Sequence, residues 1–172
     1  MRREIRRAPI PTRGGDRKEE RRFLTGYLLV LGCRKEESRA TYAPSLGEIM
    51  TFNQIRHAKL WWAAQAGNWP LAAHEVDELE EGFRDAVDFH PTHKSSPVPI
   101  AEVIPIMTEG PLKVLRDAIG KKDLGGFTQA YDALTEACNS CHQATNFGFN
   151  VVTRPTGNSF LHQNFAPPPK EN

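Results

Sequence analysis

Phe127-Thr128-Gln129-Ala130-Tyr131-Asp132-Ala133-Leu134-Thr135-Glu136-Ala137-Cys138-Asn139-Ser140-Cys141-His142 is the stretch on which the reading of this chain turns. Phe127, Tyr131, Leu134, Cys138 and Cys141 recur at the 4, 3, 4, 3 spacing of one helix face, so the segment reads as an amphipathic helix. Its end, Cys-x-x-Cys-His, has the form of a c-type haem attachment site. Two thiols at i and i+3 lie one helical turn apart on the same side, where each can form a thioether to one porphyrin vinyl group. The adjoining imidazole of His142 then falls under the iron as its proximal ligand. Two other uses of such a run fit less well. Zinc needs about four ligands, and the remaining cysteine, Cys33, is far away in sequence. A thioredoxin-like redox pair belongs to a βαβ context, and no strand pattern is present. One motif implies one covalent haem c.

Working outward, three further helical segments precede this one. Ser45-Leu46-Gly47-Glu48 has the Ser-x-x-Glu form of a capping box and starts a helix that runs to about Gly67. Met50, Asn53, His57, Leu60 and Ala64 share one of its faces. A second helix starts near Trp69-Pro70, with proline tolerated in the first turn, and closes at His90-Pro91. Leu71, Val76, Leu79, Phe83, Ala86 and Val87 form its inner stripe, while Glu75, Glu78, Glu81, Asp85 and Asp88 are expected mostly outside. After a loop from His90 to Pro99, a third helix covers roughly Ile100 to Ile119, with a kink or break expected at Pro105 or Gly110-Pro111. Lys121-Lys122-Asp123 makes the next turn, with Asp123 as N-cap of the fourth helix. The expected fold is all-α, an antiparallel four-helix bundle spanning 45–143, with an irregular C-terminal tail over 144–172. Phe147, Phe149 and Val151 in that tail are candidates to fold over an apolar cofactor.

The 172 residues carry a net charge of +1, which conceals an asymmetry. Residues 1–32 hold nine Lys/Arg and four acids, leaving 13 of 22 basic and 17 of 21 acidic residues and a charge of −4 for the remainder. Such a body has no electrostatic footprint for nucleic acid and favours basic redox partner proteins. The basic start runs into the apolar Phe23–Gly32, which has the layout of an export signal over 1–32. Val30-Leu31-Gly32-Cys33 resembles a bacterial lipobox, which would make Cys33 a lipid anchor, followed by a tether over 33–44. The alternative is a buried Cys33 in a short N-terminal helix. No paired carboxylates, Ser/His/Asp set or phosphate loop supports an enzyme.

With the motif at the end of the last of four helices, residues 45–143 resemble the cytochrome c′ family and its low-spin relatives. His57-Ala58-Lys59-Leu60-Trp61-Trp62-Ala63 and Asn68-Trp69-Pro70-Leu71-Ala72-Ala73 add to that resemblance. It implies a periplasmic cytochrome in which Cys138, Cys141 and His142 hold the haem, and it allows a homodimer. The tail departs from the family pattern, in which the chain ends soon after the motif.

Family members divide by the distal face of the iron. Low-spin relatives supply a methionine from the first helix, which points to Met50, five residues after the cap and at the end facing His142. High-spin members leave that face open and bind NO or CO, which is the alternative function to electron transfer. His57 is the alternative distal ligand. It stands seven residues after Met50, about 10 Å further along the axis, so one iron cannot reach both without a helix shift. A role beside the ligands or at the surface suits it better. Met107 is a minor ligand candidate. His74, His90, His93 and His162 read as solvent-facing or loop residues. Arg56, Lys59 and Arg154 are candidate partners for haem propionates. Trp61, Trp62 and Trp69 are expected to pack where helices one and two meet.

Overall fold

The structure, a computed structural model, describes residues 42–169. The expected export signal, Cys33 and most of the tether lie outside the described residues. Four helices follow in order: α1 (Leu46–Gln65), α2 (Trp69–Phe89), α3 (Ile100–Lys121) and α4 (Leu124–Ala144). The described part is an all-α antiparallel bundle with an irregular C-terminal tail. None of its helices is long and apolar enough to cross a membrane.

The helix starts follow their local chemistry. Ser45 Oγ accepts from the Glu48 N–H at 3.2 Å, and the Glu48 carboxylate accepts from the Ser45 N–H at 2.8 Å, the reciprocal capping box. Tyr42 donates its hydroxyl to the same carboxylate at 2.7 Å. These hydrogen bonds, Tyr42's first, lower the Glu48 carboxyl to about 2. Gly67, at φ +70°, ends α1 in the left-handed region that an L side chain resists. Asn68 then caps α2 by accepting from the Leu71 N–H, and Asp123 caps α4 by accepting from the Gly126 N–H.

Of the kink or break expected in α3, there is no break: the helix runs on through Pro105 and Pro111, although each proline removes one backbone hydrogen bond. Burial of Ile100, Val103, Ile104, Leu112, Leu115 and Ile119 along one stripe outweighs that loss. The helix ends only at Lys122, which takes a left-handed conformation at φ 56°.

α1 packs closely on α2 and α3 on α4, with α2 against α3 joining the two hairpins, whereas α1 and α4 meet over a much smaller area. Gly82 permits the α1–α2 approach, because a Cβ there would overlap the Asn53 amide oxygen and crowd Arg56. Arg56 bonds the Glu78 carboxylate at 2.9 Å and the Glu78 carbonyl at 2.8 Å across the same interface. Glu75, expected outside, is 1% exposed and paired with Lys59. Its helical phase turns it toward α1, where Lys59 supplies the countercharge a buried carboxylate requires.

The seam left between α1 and α4 is closed by the tail. Asn139 holds Val152 near the end of α4. Further along, Arg154 pairs with Asp132 and lies 4.7 Å over the Trp61 ring. Phe165 is buried in the core, and the Asn68 amide donates to the Ala166 carbonyl at the opposite end of the bundle. Beneath the tail, Trp61, Phe127 and Tyr131 form one aromatic cluster, with Trp69 against Phe127. The tail is thus a fifth packing element, running back along α4.

Candidate functional site

Where the seam stays open, beside the first turns of α1 and the last turns of α4, lies a largely apolar cavity of about 480 Å³. This is within the size range of ligand and cofactor sites. Leu46, Met50, Asn53 and His57 line it from α1, and Cys138, Cys141 and His142 from α4. Leu79 and Phe83 of α2 and Ile104 of α3 close its back. The five candidate residues named from sequence therefore border one cavity. Met107 does not reach it.

Cys138 and Cys141 are free thiols, half-buried at the cavity wall. Burial, with the neighbouring Cys141 adding to it, pushes the Cys138 thiol up to about 12, and burial also raises Cys141. Both are protonated at neutral pH, the reverse of the lowered pKa that makes a dithiol a ready redox nucleophile. Among the described residues, no three His, Cys, Asp or Glu side chains converge as a bare metal ion would need.

His142 occupies the last turn of α4, and its Nδ1 lies 2.6 Å from the Asn150 carbonyl oxygen. A carbonyl only accepts, so Nδ1 carries the proton and Nε2 keeps its lone pair for a metal. The tail that supplies this carbonyl also lines the cavity through Phe147 and Val152. Of the tail residues expected to cover a cofactor, Phe149 and Val151 instead point to solvent, at 82% and 66% exposure.

His57 is not a surface residue; it is 3% exposed. Its Nε2 is 2.9 Å from Thr135 Oγ1 and its Nδ1 2.8 Å from the Tyr131 hydroxyl, with the two rings stacked at 4.3 Å. Desolvation lowers its pKa to about 4, so the ring is neutral at pH 7. With both nitrogens engaged by α4, it has none free for a metal in this arrangement. It ties α1 to α4 at the floor of the cavity.

Two further wall residues escaped the sequence reading. His93, expected as a solvent or loop residue, sits in the α2–α3 loop but lines the cavity, its ring 5.4 Å from Phe147. Asn53 is 5% exposed, and its Nδ2 has no hydrogen-bond partner among the described residues. Its place on the Met50–His57 face was the available signal. The proposed propionate partners are otherwise occupied: Arg56 by Glu78, Lys59 by Glu75 and Arg154 by Asp132, and none lines the cavity. No protein-family model, curated protein or solved structure matches this chain.

Proposed function

We propose that this chain is an exported monohaem c-type cytochrome of cytochrome c′-like build that transfers electrons in the periplasm. The observation that carries the reading is the convergence of Cys138, Cys141 and a His142 with a free Nε2 lone pair on one apolar cavity. These residues suit a covalently held porphyrin: two neutral thiols one turn apart, an imidazole of fixed tautomer, and an apolar space beside them. Cys138 and Cys141 would anchor the haem, His142 would be its proximal ligand and Met50 its distal one. When bound, the haem supplies a one-electron iron couple.

The chain's own residues set the conditions for that couple. Leu79, Phe83 and Ile104 give the cavity an apolar back wall, and a neutral Met50 thioether favours the reduced state. His57 stays uncharged beside it. The net −4 of residues 33–172 would steer a basic redox partner. No substrate chemistry is assigned to any side chain.

A second reading, an NO- or CO-binding protein with an open distal face, is favoured by one feature. The unpartnered Asn53 amide at the cavity wall is a donor that a polar distal occupant could use. The optical spectrum of the matured protein separates the two. Electron transfer with Met50 ligation predicts low-spin iron and a sulfur-to-iron charge-transfer band, both lost in Met50→Ala. A high-spin ferric spectrum of the unmodified protein overturns Met50 ligation and leaves the gas-binding reading.

A further inference from the structure

The motif's two intervening residues read as spacers, yet Asn139 is engaged at both ends of its amide. Its Nδ2 donates to the Val152 carbonyl at 2.9 Å, and its Oδ1 accepts from the Val152 N–H at 2.8 Å. This pairing satisfies both backbone groups of one residue, so it fixes the tail's position and its register on α4. Two residues upstream, the Asn150 carbonyl accepts from His142 Nδ1 at 2.6 Å. The chain between them is folded tightly back. Asn146 takes a left-handed φ of 66°, the Phe147 N–H donates to the His142 carbonyl at 2.7 Å, and the Asn150 N–H donates to the Phe147 carbonyl at 2.8 Å. The Asn146 amide donates in turn to the Ser95 carbonyl at 3.0 Å, bracing the turn against the α2–α3 loop.

We infer that residues 146–152 form a proximal strap, and that Asn139 is the positioning residue that holds the Asn150 carbonyl on His142. The inference rests on the haem reading above and adds a regulatory part to it. A carbonyl on Nδ1–H makes the imidazole a stronger electron donor through Nε2, which favours ferric over ferrous iron. The strap therefore opposes the Met50 thioether, and the potential reflects both. Without the Asn139 pairing, Val152 loses two hydrogen bonds, and Asn150 is held only by its short turn and that turn's brace on Ser95. Water then competes for His142 Nδ1.

The test uses the matured full-length protein with Asn139→Ala, Asn139→Gln and, as a control, Arg154→Ala. Arg154→Ala loosens the tail further along, at Asp132 and Trp61, without touching the clamp. Two quantities are read: the midpoint potential, and the solvent-exchange rate of the His142 Nδ1 proton by NMR in the reduced state. In Asn139→Ala, Nδ1 exchange accelerates at least tenfold. The ferric preference falls, and each tenfold fall raises the potential by about 59 mV. Asn139→Gln, with the same amide one methylene further out, recovers part of the exchange protection, and Arg154→Ala leaves both readings unchanged. Unchanged values in Asn139→Ala overturn the inference, as do equal shifts in Arg154→Ala, which would mean general loosening of the tail. Absence of haem from the unmodified protein instead removes the function proposed above, so the two failures are distinct.

Discussion

Acid should destabilise this bundle through His57 before it acts through any carboxylate. The ring is 3% exposed, and desolvation lowers its pKa from the ordinary 6.5 to about 4. The folded state therefore binds fewer protons than the unfolded state between those values, and stability must fall as pH drops through that window. At about 1.4 kcal/mol per pH unit, the loss between pH 6.5 and pH 4 is about 3 kcal/mol, complete once pH is below about 4. The groups bonded to the His57 ring, Thr135 and Tyr131, do not titrate there. Burial raises Tyr131 above its ordinary range, and Cys138 stands at about 12. Glu48, lowered to about 2, acts in a separate and lower window, losing its contribution as pH falls from 4.5 toward 2. The perturbation is His57→Phe, which keeps a ring on Tyr131. It strands neither hydroxyl, because without the ring Thr135 can donate to the Tyr131 carbonyl and Tyr131 to the carbonyl of residue 57. Urea unfolding, followed by helical circular dichroism at several pH values, gives the difference in stability between the two proteins. That difference should move by about 3 kcal/mol against the unmodified protein from pH 6.5 to 4 and be flat above pH 7. Parallel curves for the two proteins would refute burial of a neutral His57.

Gly82→Ala forces a Cβ into the Asn53 amide, so Asn53 and Arg56 must give up their places at the α1–α2 interface; the expected loss is about 1–3 kcal/mol in urea denaturation. Lys59→Met leaves the Glu75 carboxylate buried without its countercharge and should cost about 3–5 kcal/mol at pH 7 in urea denaturation. Phe165→Ala, at the far anchor of the tail, should cost about 3 kcal/mol and expose the Trp61 cluster to fluorescence quenchers.

The parts of the fold that could be read in advance are those decided within a few residues. The Ser45–Glu48 box and Asp123 each act on N–H groups three positions away, so their signals are local and the helix starts follow them. Periodicity placed Met50, Asn53 and His57 on one face and Cys138 and Cys141 on another, and antiparallel packing brought those faces to one cavity. What escaped depends on partners far along the chain. His57 is buried because Thr135, 78 positions away, and Tyr131, 74 away, bond its ring. Glu75 is buried because Lys59 of the preceding helix reaches it. The continuity of α3 through two prolines reflects tertiary burial overriding a local penalty. The tail carries no periodic pattern, and its course is set by single anchors such as Asn139, Arg154 and Asn68.

The central claim is that Cys138 and Cys141 carry a haem through covalent bonds with His142 beneath it. Intact-mass analysis after acid–acetone extraction of protein matured in a cell that attaches c-type haem tests it most directly. The account predicts a coloured protein heavier than the polypeptide by one haem, with the added mass lost when both cysteines are replaced by serine. A colourless protein at polypeptide mass, or pigment that leaves entirely with the solvent, would contradict it.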